Sequence, residues 1–263
     1  MAQLATQGSD LAQERCEVEF QDKVVLVTGG SRGMGKAMIE AFAARGASVV
    51  IASRKLDACE ALATAVRAEH GVKALPVACN VSSWADCDAL VEAAYGEFGR
   101  VDVLVNNAGL SPLYPSLDEV SEALFDKVIG VNLRGPFRLG SAIGTRMAAG
   151  AGGAIINVSS IAAIRPGAHE LPYAAAKAGL NVLTEGMARA FGPSVRVNCI
   201  QAGPFRTDIS LAWPPDTVAR FEQTLALRRV GEPEEIVGAA LYFASDAASF
   251  CTGAVLRLDG GTP

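Results

Sequence analysis

Aromatic residues are scarce, at 6% of 263 positions, so the core of this chain must be built from Ala, Val, Leu and Ile. Charge is sparse as well, at 19%. The formal net charge of -5 comes with no basic block, which argues against nucleic acid as a partner. There are only two histidines, and neither lies at zinc-ligand spacing from a cysteine. The six cysteines, at 16, 59, 79, 87, 199 and 251, form no CxxC pair and read as scattered reduced thiols of a cytoplasmic protein with no metal site. No uninterrupted apolar stretch reaches the roughly 18 residues needed to span a membrane. The N-terminal segment carries Asp10, Glu14, Glu17 and Glu19 and lacks the apolar stretch of a signal peptide.

What the chain has in quantity is small and aliphatic. Hydrophobic residues make up 50%, and 27 glycines signal tight turns and close backbone approaches. The length suits one large α/β domain with a substantial core. Residues 1–21 are polar and aperiodic and read as a flexible arm, leaving 22–263 as a single domain. There, short apolar runs alternate with helical patterns. The runs are KVVLVTGG, ASVVIAS (47–53), VKALPVACNV (72–81), VDVLVNNAG (101–109), GAIINVSS (153–160), VRVNCIQAG (195–203) and AVLRLDGG (254–261). Helical patterns cover Gly33 to Arg45, Leu56 to Glu69, 83–98, 118–130, 132–149, 172–191 and Pro233 to Ala244. Strands apolar throughout their length belong to a parallel sheet covered on both faces. The alternation predicts an α/β, Rossmann-type, doubly wound sheet of seven strands with helices on both faces.

TGGSRGMG (Thr28–Gly35) falls between the first strand and the first helix. Gly29 permits the sharp turn, Gly33 lets backbone approach a pyrophosphate, and Gly35 lets the helix pack on the strand. The helix start offers free N–H groups and a positive dipole end to phosphate. Ser31, Arg32 and Met34 complete this loop. The second strand ends in Ser53, Arg54 and Lys55, where an NAD site usually places an acid for the ribose hydroxyl. Two arginines with Ser53 beside them suit a 2′-phosphate instead, so NADP(H) is expected in preference to NAD(H).

A second group lies farther along. Tyr173 and Lys177 stand at i and i+4 in the small-sided segment LPYAAAKAGL and so share one helical face. A nearby ammonium stabilises a phenolate, which would lower the Tyr173 pKa and let it move a proton at an alcohol or carbonyl oxygen. Ser160 ends the fifth strand thirteen residues earlier, and strand ends of this kind line the ligand crevice. Ser159 is its rival; alternation sends the two hydroxyls to opposite faces.

TGxxxGxG, NNAG, a strand-end Ser, YxxxK and a later N-x-I-x-x-G-x-x-x-T, in this order over about 22–262, resemble the short-chain dehydrogenase/reductase family in its compact single-domain type. The pattern is similar to 3-oxoacyl-carrier-protein reductase-like and glucose dehydrogenase-like members. The resemblance implies Tyr173 as general acid/base, Lys177 as the group that lowers its pKa and bonds the nicotinamide ribose, and Ser160 as the residue that orients the substrate oxygen. It implies that Asn132 holds a water through its backbone carbonyl. Asn80 and Val81 would flank the adenine. Asn107, Ala108 and Gly109 would wall the adenosine ribose, with Asn106 supporting the sheet. Thr207 would reach a phosphate or the carboxamide, with the Phe205 backbone near the nicotinamide. The implied activity is interconversion of a carbonyl and a secondary alcohol, and the implied partner is a further copy of the chain, in a homotetramer or a homodimer. A catalytically silent NADP(H)-binding sensor or scaffold is the alternative.

Two departures from the family pattern stand out: Ala202-Gly203-Pro204 where Pro-Gly is usual, and Asn80 where Asp is common. His169, four residues before Tyr173, reads as a loop residue at the pocket rim. Leu113, Tyr114, Leu171, Phe205, Leu211 and Trp213 are candidates for pocket wall or core, and WPPDTVARFEQTLALRR resembles a substrate lid.

Overall fold

The computed structural model describes residues 19–208, 210, 213 and 216–263. Most of the expected arm, Leu211 and the two prolines of the WPP stretch lie outside them. The packed domain already includes Phe20. It is 3% exposed, its ring meets Phe42 edge-to-face at 4.9 Å, and its N–H donates to the Arg45 carbonyl.

Seven strands form one parallel sheet: β1 (Val24–Thr28), β2 (Ser48–Ser53), β3 (Ala74–Ala78), β4 (Val103–Asn106), β5 (Gly153–Ser160), β6 (Val195–Ala202) and β7 (Val255–Leu258). Their order is β3-β2-β1-β4-β5-β6-β7. The chain builds outward from β1 to one edge, then returns to place β4 on the other side of β1. The crevice for a ligand in such a sheet opens at this reversal, beyond the carboxyl ends of β1 and β4.

Successive side chains of each strand point to opposite faces, and both faces are apolar. On one side Val25, Val27, Ile51 and Val105 pack under α1 (Gly33–Ala43), α2 (Leu56–His70) and α8 (Val237–Ala244), centred on Met38, Phe42, Leu62 and Phe243. On the other, Leu26, Val50, Leu104 and Ile155 meet α3 (Trp84–Phe98), α5 (Gly135–Ala148) and α6 (Leu171–Phe191) through Leu90, Ile143 and Met187. A short helix, α7 (Thr217–Thr224), belongs to the expected lid, where Trp213 meets Phe221 at 5.3 Å.

The expected break between helices at residue 131 is absent. α4 (Glu122–Ile129) runs through a π-turn, Gly130–Arg134, directly into α5, with helical dihedrals at both junctions. A single π-turn inserted in an α-helix is a common functional-site device, and here it carries Asn132. β7 is shorter than the apolar run suggests. Gly260 and Gly261 take positive φ and curl the chain away after Leu258. Gly203 answers one of the two departures: a Cβ there would come within 2.5 Å of the Asp259 Cα, so glycine is required whatever precedes it.

Candidate active site

The glycine loop leaves β1 under tight backbone constraint. Gly29 and Gly33 both take positive φ. A Cβ on Gly35 would lie 2.1 Å from the Gly29 carbonyl oxygen, so the helix start is pressed onto the turn. Thr28 fastens the β4 loop alongside: its Oγ1 accepts from the N–H groups of Asn107 and Ala108, each at 3.1 Å. The Asn107 amide in turn donates to the Thr28 and Gly29 carbonyls at 2.9 and 3.3 Å. Its side chain is thus a clamp on the loop. α1 begins with no side-chain cap and no acid in its first turn. That start is an unneutralised anion site, which fits a dinucleotide pyrophosphate.

Beyond β2, Ser53 and Ser31 face each other at 3.0 Å between hydroxyls, with Cys59 Sγ 3.1 Å from the Ser53 oxygen. Arg54 and Lys55 are exposed. Arg32 is ion-paired with Asp208, a partner that nothing in the sequence pattern announces because the two loops are far apart in the chain. At the end of β3, Asn80 Oδ1 accepts from the Ser82 N–H and hydroxyl, and Val81 is buried. Val81 also sets how closely α5 approaches, since a Cβ on Gly135 would come 2.3 Å from its carbonyl oxygen.

Asn132 is fully buried. Its amide donates to the Leu110 and Val128 carbonyls at 2.8 and 2.9 Å and accepts from the Leu110 N–H at 3.2 Å. The side chain therefore pins the loop after β4 to the π-turn. Gly109 completes this junction, where a Cβ would meet Asn132 Oδ1 at 3.4 Å and Lys177 Nζ at 3.8 Å.

Alternation predicts opposite faces for the two serines ending β5, yet both hydroxyls meet α6, at different residues. Ser159 is buried, and its hydroxyl donates to the Lys177 carbonyl at 3.1 Å, tying β5 to α6. Ser160 Oγ accepts from the Ala162 N–H at 3.2 Å and lies within hydrogen-bonding reach of the Tyr173 side chain. Tyr114 holds the start of α6: its hydroxyl accepts from the Leu171 N–H at 2.8 Å and donates to the Ala168 carbonyl at 3.0 Å. His169 Nδ1 lies 3.3 Å from the Tyr114 carbonyl.

Electrostatics at the pair differ from the sequence expectation. Burial pushes the Tyr173 phenol up to about 12; the bond with Ser160 opposes this and the Glu170 carboxyl adds to it. Lys177 makes no evident contribution. Its Nζ is 5.6 Å from the Tyr173 ring centre and donates to the Val158 carbonyl at 2.7 Å. Burial pushes Lys177 itself down to about 8. The expected lowering of the phenol therefore does not follow from the protein groups alone.

Phe205 belongs to the core under α8, and its backbone bridges to Gly231. Thr207 lies against the glycine loop, where a Cβ on Gly33 would sit 3.5 Å from its methyl. Leu113 and Leu171 are exposed. Of the cysteines, 59, 79, 87 and 199 are buried and free, and the Cys79 and Cys87 thiols donate to the Asp86 and Val81 carbonyls. No described helix is long and apolar enough to cross a membrane.

Residues 29–263 match a family model described as enoyl-(acyl carrier protein) reductase. L-rhamnose 1-dehydrogenase (NAD(P)(+)) of Azotobacter vinelandii is 41% identical over 247 residues, which cover 91% of this chain and 96% of that one. D-threitol dehydrogenase of Mycolicibacterium smegmatis is 34% identical over 258 residues, 97% and 98% of the two chains. Among solved structures, a 7α-hydroxysteroid dehydrogenase complexed with NADH and 7-oxo glycochenodeoxycholic acid superposes with a TM-score of 0.88 at 31% identity, covering 93% and 96%. The chain belongs to the short-chain dehydrogenase/reductase family, and is an oxidoreductase of alcohol and carbonyl groups. These likenesses lend nothing to the alternative of a silent sensor.

Proposed function

We propose that this chain interconverts a secondary alcohol and a carbonyl with NADP(H), and that Tyr173 is the general acid/base. The observation that carries the reading is the grouping of Ser160, at the carboxyl end of β5, with Tyr173 and Lys177 of α6, against the β4 loop that is clamped to the glycine loop. A bound nicotinamide dinucleotide supplies or takes up the hydride. Gly29, Ser31, Arg32, Gly33, Met34 and Gly35 would hold its pyrophosphate. Asn80, Val81, Asn107, Ala108 and Gly109 would hold its adenosine half, and Phe205 and Thr207 would line its nicotinamide end.

The protein's own part is proton transfer and orientation. Ser160 donates to the substrate oxygen and keeps it against the phenol. Tyr173 gives that oxygen its proton in reduction and removes it in oxidation. Lys177 is fixed one turn below, where its ammonium disfavours a second positive charge and stabilises negative charge developing on the phenol. Asn132 holds the π-turn and the β4 loop in register with Lys177. Tyr173→Phe removes the proton and leaves the ring. Cofactor affinity should be retained and kcat should fall by about 10²- to 10⁴-fold; near-full turnover would defeat the mechanism.

The cofactor preference is supported by Arg54 and Lys55, exposed at the end of β2 where no carboxylate stands. The relatives themselves divide, one named for NAD(P)(+) and one complexed with NADH. Arg54→Asp should shift kcat/KM toward NADH by at least about tenfold, the range of a charge-assisted bond. An unmutated enzyme that prefers NADH would overturn the choice.

Assembly as a homotetramer is supported by exposed apolar side chains in two regions, Phe137 and Val182 around one hollow of α5 and α6, and Phe250, Val255 and Leu256 at the β7 edge of the sheet. Light scattering on the eluting protein tests it, and a dimer or monomer would refute it. A reducing, cytoplasmic location is supported by five free cysteines among the described residues.

A further inference from the structure

Two strand-end loops meet the one π-turn. Asn132 and Arg134 stand two positions apart in Gly130–Arg134, and helix geometry sends residues so spaced to nearly opposite sides. Asn132 takes the loop after β4, through its bonds to Leu110. Arg134 takes the loop after β3: its Nη2 donates to the Ser82 carbonyl at 2.6 Å, across 52 positions of chain. Among the described residues this carbonyl, not a carboxylate, is the acceptor that its guanidinium meets. The backbone makes room for the contact. A Cβ on Gly130 would come 2.9 Å from Ser82 Cβ and 3.3 Å from Arg134 Nη2, and one on Gly135 would come 2.3 Å from the Val81 carbonyl oxygen. A glycine thus stands on either side of the arginine, and each lets the helix close on the same short loop. Bonds within the loop carry the contact to Asn80. Its Oδ1 accepts from the Ser82 N–H and hydroxyl at 3.2 and 2.9 Å, and its carbonyl accepts from the Ser83 N–H at 2.8 Å. Ser82 and Asn80 therefore move as a unit.

We propose that Arg134 is a positioning residue for the adenosine half of the cofactor: by holding the Ser82 carbonyl it fixes the Asn80–Val81 wall on which the adenine lies. The inference rests on the proposed function for the place of the adenine. Arg134 touches no reacting atom. A charge-assisted bond is stronger than a neutral one, and a loop held in its binding conformation beforehand lowers the cost of ordering it on binding. The π-turn then sets both ends of the site, the catalytic loop through Asn132 and the adenine loop through Arg134.

The test measures dissociation constants for NADPH, NADH and 5′-AMP by calorimetry on the full chain, and kcat for cyclohexanone at saturating NADPH. Arg134→Met removes the donor and keeps an apolar chain at the hollow that Arg134 lines with Phe137 and Val182. It should weaken all three ligands alike, by about tenfold, and leave kcat within about twofold of wild type. Arg134→Lys keeps a charged donor on a different head group and should restore part of the affinity. Gly130→Ala keeps the arginine but crowds Ser82, and should weaken 5′-AMP in the same sense. If Arg134 only braces the helix, Arg134→Met will lower thermal stability and kcat with the three affinities intact, which overturns the assignment. So does a loss confined to NADPH, which would mark Arg134 as a charge for the 2′-phosphate. 5′-AMP carries neither nicotinamide nor 2′-phosphate. Its weakened binding upholds the assignment even in a protein that reduces no ketone or prefers NADH, results that would sink the proposed function instead. Normal turnover with 5′-AMP affinity untouched by Arg134→Met would do the reverse.

Discussion

Lys177 offers a measurable consequence of burying an amine in a folded core. It is 3% exposed, and burial pushes its pKa from 10.5 down to about 8. In the unfolded chain the amine returns to its ordinary value of about 10.4. Between pH 8 and 10.5 the unfolded chain therefore carries a proton that the folded one has released, so this residue makes stability rise with pH across that window. The fall in pKa corresponds to roughly 3 kcal/mol, present as a cost below pH 8 and relieved by pH 10.5. Lys177→Met keeps the length of the side chain and removes the ammonium. At neutral pH the variant escapes the cost but loses the bond to Val158, about 1.5–3 kcal/mol, so the two effects nearly offset. The slope, not the value at one pH, is what discriminates. Wild-type stability minus that of Lys177→Met should climb by roughly 3 kcal/mol from pH 7 to 10.5. The Cys199 thiol and the Tyr173 phenol, raised to about 11 and about 12, make stability fall with pH above their unfolded values, but they do so in both proteins and largely cancel. Urea unfolding at closely spaced pH values, followed by tryptophan fluorescence, measures the difference. A difference that stays flat would refute a depressed lysine in the folded state.

Further consequences follow from other contacts of the site. Gly35→Ala puts a Cβ 2.1 Å from the Gly29 carbonyl oxygen and 2.7 Å from Asn107 Nδ2. Opening the loop to admit it should cost about 1–3 kcal/mol in thermal unfolding and weaken NADPH binding at least about tenfold by calorimetry; a change under twofold would contradict a loop that tight. Tyr114→Phe removes the acceptor for the Leu171 N–H, and should lower stability by about 1–2 kcal/mol and reduce kcat with cofactor affinity intact. Equal losses in kcat and NADPH affinity would count against a role confined to the start of α6. Asp208→Asn frees Arg32, and steady-state kinetics should show a lower KM for NADPH with little change for NADH. Because that pair is largely exposed, stability should move by less than about 1 kcal/mol.

The fold was legible because its signals are local. Continuous apolar runs ending in glycine, asparagine or serine mark strands of a two-sided sheet. Strand alternation was a poorer guide at the end of β5: Ser159 bonds the Lys177 carbonyl and Ser160 reaches Tyr173, so both meet α6. Sequence periodicity failed at Gly130–Arg134, where the π-turn shifts the helical phase without breaking the helix. It failed again wherever two loops distant in the chain meet, as with Arg32 and Asp208 or Ser111 and Glu170.

The most instructive failure is the sign of the Tyr173 shift. Spacing places a lysine one turn from the phenol, and Coulomb's law then says the phenol should fall. Spacing does not report that both groups are buried, or that the ammonium already has a carbonyl at 2.7 Å. Desolvation opposes the charged form of each, raising the phenol and lowering the amine, so the two values move apart and each group is driven toward its neutral form. A pair poised in this way holds its proton on the phenol at neutral pH. Ready proton transfer then has to come from what enters the crevice: a donor or a developing negative charge at the substrate oxygen alters the balance that burial alone has set. Glu170 acts in the same sense, since its charge raises the phenol further.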